Sequence, residues 1–350
     1  MAAIETRKLA RSFPGGIVAV EALDLEVAER EIYAFLGPNG AGKTTTVRML
    51  TTLLRPTGGS ASVAGFDVVS EAGDVRRSIG VALQEAALDP LMTGAELMQL
   101  QATLHGIPRP RARELGAPLL ERVGLAAAAD RRVGTYSGGM RRRLDLATAL
   151  VHEPRVLFLD EPTTGLDPVS RQAIWQEVRR LNDEGTTIFL TTQYLEEADQ
   201  LADRVGIIDE GRMAAEGTPT ALKGEVGKPH LELVICEGEP GEAEEIVARF
   251  GELMPAKDGA VMVSLDRGAS QVAPIVRALD DAGLAVESLD LVQPSLDDVF
   301  VAKTGRHLEG AEEAAQPGED AAAAEAEQAA GASAYGGQGG RRAAESSPRT

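Results

Sequence analysis

Gly37-Pro38-Asn39-Gly40-Ala41-Gly42-Lys43-Thr44-Thr45 follows directly on the apolar run Ile32-Tyr33-Ala34-Phe35-Leu36. The run reads as a buried strand, the glycines as a tight turn, and the residues from Lys43 as the start of a helix. Gly37, Gly42, Lys43 and Thr44 occupy the fixed positions of G-x-x-x-x-G-K-[ST], the phosphate-binding loop. Glycine lets the backbone approach phosphate oxygens and turn its N–H groups inward. The helix adds the positive end of its dipole. Lys43 is expected to reach the β- and γ-phosphates, and the Thr44 hydroxyl to ligate magnesium. The stretch therefore predicts a nucleoside triphosphate carried with Mg2+.

Around this loop the chain alternates strands and helices. Residues 4 to about 30 read as antiparallel strands, with period-two alternation in Leu23-Asp24-Leu25-Glu26-Val27. Residues 88–132 change character, with apolar spacing of three and four over Met92–His105 and Arg111–Val123, which predicts a helical insertion. A helix from Met140, a strand over Arg155–Leu159, a helix over Val169–Asn182, a strand over Thr186–Thr191, a helix over Glu196–Ala202 and a strand over Val205–Asp209 complete an α/β pattern with a largely parallel sheet. Gly224–Pro229 reads as a linker. Beyond it, His230–Cys236, Glu242–Phe250, Leu253–Pro255, Ala260–Leu265, Gln271–Asp281 and Ala285–Leu291 run strand, helix, strand, strand, helix, strand, the split βαβ order of a ferredoxin-like unit.

The 350 residues suffice for about two domains. A net charge of −19 makes nucleic acid a poor partner. No apolar stretch reaches the roughly 18 residues of a membrane span. Met1-Ala2-Ala3-Ile4-Glu5 lacks the parts of a signal peptide, so the expected location is the cytoplasm. The single cysteine, Cys236, excludes an internal disulfide and is expected to be a small core hydrophobe. From Leu308 onward the chain is rich in alanine, glycine and acidic residues with almost nothing to bury, so it reads as disordered.

Further motifs accompany the loop. Val156-Leu157-Phe158-Leu159-Asp160-Glu161 is an apolar strand ending in two carboxylates. Asp160 suits magnesium held through water. Glu161 suits a base or polariser for water attacking the γ-phosphate. Tyr136-Ser137-Gly138-Gly139-Met140 opens a helix, and its free N–H groups make an anion site. With Gly37–Thr45, Gln84, Asp160-Glu161 and Gly165-Leu166-Asp167, this set resembles the ATP-binding subunits of ABC transporters over residues 4–220.

That resemblance implies an α/β fold: a P-loop ABC-type nucleotide-binding domain over residues 1–222, with an antiparallel β subdomain, a mostly parallel core sheet and a helical subdomain at about 88–135. A small α+β ferredoxin-like domain over 229–304, serving assembly, and a disordered tail over 305–350 follow. It implies ATP as the nucleotide and a head-to-tail homodimer in which Ser137, Gly138 and Gly139 contact the γ-phosphate held by the partner's Gly37, Pro38, Asn39, Gly40, Ala41, Gly42, Lys43, Thr44 and Thr45. It also implies that Gln84 touches magnesium and senses the membrane partner, and that the loop at Asp167 couples the two sites. Phe13 takes the place of the aromatic that stacks on adenine; a half-buried sheet aromatic is the rival reading.

Two departures stand out. Gln193 occupies the place where the family carries histidine; its amide still donates to the γ-phosphate but never becomes cationic. Met140 and Tyr136 replace glutamine and leucine. The finer resemblance is to drug-export ATPases of the daunorubicin/doxorubicin-resistance type. It rests on Tyr136–Ala147, Thr192–Asp199 and Ser295-Leu296-Asp297-Asp298-Val299-Phe300. Val299 and Phe300 either dock against a neighbour or close their own small core.

The expected activity is ATP hydrolysis energising export of a drug-like or hydrophobic compound through a separately encoded polytopic permease, from the cytoplasmic face of the membrane. The alternatives are a soluble ABC-type ATPase acting on ribosomes or DNA, a transporter subunit for a lipid or polysaccharide, and a nucleotide-gated module without turnover. Glu161 argues against the last of these.

Overall fold

The computed structural model describes residues 2–83, 88–237, 240–255 and 260–308; Gln84 and the tail from residue 309 lie outside them. Strands β1 (Ala2–Phe13) and β2 (Ile17–Ala28) form a hairpin, β3 (Ile32–Leu36) enters the phosphate loop, and α1 (Lys43–Leu50) leaves it. Then come β4 (Gly58–Val63), β5 (Phe66–Asp67), α2 (Ala72–Ser78) and β6 (Ile79–Ala82). The helical excursion is α3 (Gly94–Leu104) and α4 (Arg109–Arg122), from which α5 (Gly138–Leu150) returns to β7 (Val156–Asp160). Next are α6 (Pro168–Asp183), β8 (Thr187–Thr192), α7 (Leu195–Leu201), β9 (Arg204–Asp209), β10 (Arg212–Gly217) and α8 (Pro219–Val226). The C-terminal part is β11 (His230–Glu237), α9 (Pro240–Val247), β12 (Leu253–Met254), β13 (Ala260–Ser264), α10 (Val272–Asp281), β14 (Ala285–Val292) and α11 (Leu296–Thr304).

The central sheet has the order β10-β9-β3-β8-β7-β6, parallel except for β10. Strands β3, β7 and β8 are buried along their whole length because both faces are covered, so their sequences are apolar runs without alternation. One face packs with α1 against the antiparallel sheet β2-β1-β4-β5, around Tyr33, Phe35, Phe158 and Phe189. The other packs against α5, α6 and α7 through Leu36, Leu157, Ile174, Val178 and Leu190. The excursion has its own core of Leu97, Met98, Leu120 and Leu144. The parallel strands end on one edge, where an α/β sheet gathers its ligand.

The C-terminal sheet has the order β12-β13-β11-β14 with antiparallel neighbours, the arrangement that the split βαβ order predicts. Five details differ from the sequence reading. The helix expected from Met140 starts at Gly138, because Ser137 accepts a hydrogen bond from the Met140 N–H and caps it. Gly224 lies within α8 rather than in a linker: Thr218 caps that helix, Pro219 begins it, and Leu222 is buried. Cys236 is exposed rather than in the core, since Leu231 and Leu233 take the inward positions of β11. Val299 and Phe300 are fully buried in the core of the central sheet instead of their own unit's, where α11 packs on α7, α8 and β10. Leu308 joins the same core, so packed structure runs past residue 305.

Candidate functional site

The loop after β3 is shaped by close approach. A Cβ on Gly37 would lie 2.4 Å from the Ile208 carbonyl oxygen, and Gly42, at φ +108°, has the Ala19 carbonyl 2.5 Å from where its Cβ would be. Glycine alone fits both places. The Ala41 N–H donates to the Pro38 carbonyl at 3.2 Å, and the Gly211 N–H to the Ala41 carbonyl at 3.0 Å, which fastens the loop to the β9–β10 turn. Asn39 and Gly40 are exposed at its tip; Thr45 is half-buried in the first turn of α1. The first N–H groups of α1 have no carbonyl partner within the helix, as at any helix start, which suits them to an anion.

Lys43 is buried and donates to the Gly37 carbonyl at 2.6 Å and the Pro38 carbonyl at 3.2 Å. Its Nζ also stands 3.6 Å from Glu161 Oε1. Burial pulls the Lys43 pKa below that of an ordinary lysine, and the Glu161 carboxylate opposes the shift. The end of β7 supplies both acids, and the neighbouring strand β8 holds them. Asp160 closes β7 and pairs in register with Thr191 of β8. Thr191 Oγ1 donates to Asp160 Oδ1 at 2.5 Å and accepts from the Glu161 N–H at 3.1 Å. Thr44 Oγ1 donates to the same Asp160 oxygen at 3.4 Å. Asp160 Oδ2 is buried and has no hydrogen-bond partner among the described residues. A buried orphan carboxylate oxygen beside a threonine hydroxyl is a hard, oxygen-only donor set that fits a small divalent cation.

Glu161 is buried and adopts φ +49°, a left-handed conformation that side-chain-bearing residues rarely hold. Thr164 Oγ1 donates to its Oε2 at 3.4 Å. Beneath it, fully buried Glu197 accepts from Thr163 Oγ1 and Trp175 Nε1, each at 3.0 Å, and burial raises its pKa. Thr191 and Glu197 were not singled out in the sequence. A threonine in a β-branched strand and a glutamate in an acidic helix turn give no signal until β7 and β8 are side by side.

The remaining expected residues lie apart from this centre. Ser137 and Gly138 are exposed at the start of α5. Gly139 packs against the first turn of α6, where a Cβ would sit 2.9 Å from Ser170 Oγ. Asp167 caps α6 by accepting from the Ser170 N–H at 3.1 Å, and the Ser170 hydroxyl together with that N–H holds its carboxyl below the usual range. Among the described hydrogen bonds, none joins Ser137–Gly139 to the phosphate loop. Gln193 is half-buried just past β8. Phe13, half-buried at the end of β1, lies under the Arg11 guanidinium at 4.7 Å from its ring centre.

Comparison with known proteins adds to this geometry. The ABC transporter family model matches residues 20–164, and the family model described as ATP-binding protein DrrA1-3-like, C-terminal domain, matches 217–304. The daunorubicin resistance ATP-binding protein DrrA2 of Streptomyces coeruleorubidus is 47% identical over 298 residues, 84% of this chain and 92% of the relative. The daunorubicin/doxorubicin resistance ATP-binding protein DrrA of Streptomyces peucetius is 47% identical over 323 residues, 90% of this chain and 96% of the relative. Among solved structures, the dimeric bacterial ABC transporter cassette MJ0796 superposes with a TM-score of 0.58 at 25% identity, covering 61% of this chain and 98% of that one.

Proposed function

This chain belongs to the family of ABC transporter ATP-binding subunits, and on that premise we propose how its parts divide the work. It binds and hydrolyses ATP. The cargo is read as a drug-like or hydrophobic compound carried outward, by similarity to relatives named for daunorubicin and doxorubicin resistance. Among the described residues no helix is long and apolar enough to cross a membrane. By similarity to relatives named as ATP-binding proteins of drug resistance, the route across the membrane is read as a separately encoded permease, with this chain at the membrane's cytoplasmic face.

The observation that carries the mechanism is the convergence of Lys43, Thr44, Asp160 and Glu161 beyond the ends of β3 and β7, the two strands that flank β8. Gly37–Thr45 wrap the phosphates, and Lys43 exchanges the Gly37 and Pro38 carbonyls for the β- and γ-phosphates. Thr44 and Asp160, with Gln84, are the residues that would hold Mg2+, which when bound neutralises phosphate charge. Glu161 draws a proton from the attacking water and aims it at the γ-phosphate. Gln193 donates its amide N–H to the same phosphate, and Phe13 stacks on adenine. Ser137, Gly138 and Gly139 of a second, head-to-tail copy close the site, with the Asp167 loop at the join. Residues 1–222 form the motor domain and 229–304 the assembly domain.

The test is Glu161→Gln in the full chain. Turnover should fall by about 10²–10⁴-fold, while ATP binding persists and an ATP-bound dimer accumulates in light scattering. A variant that hydrolyses ATP at the parental rate overturns the assignment.

A further inference from the structure

Helix α5 carries three consecutive arginines, Arg141, Arg142 and Arg143, that read alike in the sequence. Successive side chains on a helix point about 100° apart, and the structure puts them to different uses. Arg141 is exposed, and Arg143 donates to the Val123 carbonyl of the helical excursion at 2.9 Å. Arg142 turns toward the ends of β6 and β7. Its Nη1 donates to the Leu83 carbonyl at 2.5 Å, its Nη2 to the Asp160 carbonyl at 2.8 Å, and its Nε to the Pro162 carbonyl at 2.9 Å. Asp145 Oδ2 is a longer contact at 3.3 Å. The guanidinium is therefore held chiefly by backbone and only secondarily by its ion-pair partner. Its side chain is 11% exposed.

The Asp160 and Pro162 carbonyls bracket Glu161, the residue held at φ +49°. A peptide in that conformation relaxes unless its surroundings fix it. A planar fork with donors at fixed spacing holds the peptide before Glu161 and the peptide after Pro162 at once, and so clamps the two-residue segment between them; an ammonium on a flexible stem does not. We infer that Arg142 is the positioning residue for Glu161: it holds the peptide that precedes Glu161 and the one that follows Pro162, so that the carboxylate between them faces the γ-phosphate end of the loop. The same side chain ties this setting to the Leu83 carbonyl, one residue before Gln84. The inference rests on the reading of Glu161 as the group that polarises water.

The test uses the full chain and the variants Arg142→Lys, Arg142→Gln, Glu161→Gln and the double variant Arg142→Lys with Glu161→Gln. Arg142→Lys keeps the charge beside Asp145 and removes the fork, so it remains informative if Arg142→Gln fails to fold. A misplaced carboxylate costs on the order of 10²-fold, so Arg142→Lys should lower kcat by that much and leave the Kd for a fluorescent ATP analogue within ~3-fold. Because Arg142 acts through Glu161, the double variant should turn over no more slowly than Glu161→Gln alone. Parental kcat in Arg142→Lys, an equal loss of nucleotide affinity, or losses that multiply in the double variant overturn the inference. Glu161→Gln with parental turnover overturns the underlying reading instead, and is seen without any change at Arg142.

Discussion

Replacing Thr191 by valine keeps the shape of a fully buried side chain and removes one hydroxyl. Among the described residues that hydroxyl is the closest donor to Asp160 Oδ1, at 2.5 Å; the other donor to that oxygen is Thr44 at 3.4 Å, and Oδ2 has none. A hydrogen bond to a charged group contributes about 1.5–3 kcal/mol. The Glu161 N–H loses its 3.1 Å bond to the hydroxyl and keeps one of the same length to the Thr191 carbonyl, so that part of the loss is under about 1 kcal/mol. The sum is about 1.5–4 kcal/mol, or a fall in Tm of roughly 3–8 °C at about 2 °C per kcal/mol for a folding unit of this size. Differential scanning fluorimetry of the ligand-free chain reads it directly. Thr191→Ser restores the hydroxyl and should recover most of the loss. Saturating Mg2+ and ATP should narrow the gap, because cation and nucleotide then satisfy Asp160. A Thr191→Val protein that melts within ~2 °C of the parent, or a serine variant as unstable as the valine one, refutes the claim that this hydroxyl holds the two acids together.

Three other outcomes follow from the geometry. Burial pushes the Asp145 carboxyl up to about 6 from 3.8. The native state thus binds a proton that the unfolded chain has released, and the stability this confers is present at low pH and lost as pH rises through 6. Asp145→Asn should therefore gain on the parent by about 1.4 kcal/mol between pH 5 and pH 7.5 in urea titrations; a pH-independent difference contradicts it. In Gln193→His, kcat should acquire a step near the histidine pKa of about 6.5 that the parent lacks, and superimposable pH–rate profiles exclude Gln193 from contact with the γ-phosphate. Phe300→Ala should cost about 3–5 kcal/mol in the transition of the nucleotide-binding core rather than of the C-terminal sheet, resolved by tryptophan fluorescence of Trp175, which lies against that core.

The parts of the site that could be read in advance are those where chemistry demands a residue type at a fixed spacing along one segment. Gly37, Gly42, Lys43 and Thr44 are of this kind, because a phosphate must be met by one continuous loop. Asp160-Glu161 was legible because an apolar strand ending in two acids has few other uses. The parallel sheet followed from apolar runs alternating with helical periods, and the second unit from its order of elements. What escaped is set by neighbours distant in sequence. Thr191 matters because β8 lies beside β7. Arg142 matters because only one of three adjacent arginines faces β6 and β7. Phe300 is apolar wherever it packs, so its sequence says that it is buried without saying in which core. Cys236 failed for a related reason: one strand carries both inward and outward positions, and a lone small residue does not declare its phase.

Helix α11 returns from the end of the second unit to finish the core of the first, with Leu296, Val299, Phe300 and Leu308 closing over the layer that contains Leu201 and Leu222. During synthesis the chain emerges from its N-terminus, so this layer stays uncovered while β11 to β14 are being made. The motor core therefore does not mature as a finished domain that waits for an appendage. Its last apolar face is sealed only after the following unit has been translated, and ribosome stalling or proteolysis before residue 295 releases a nucleotide-binding fragment with a sticky flank.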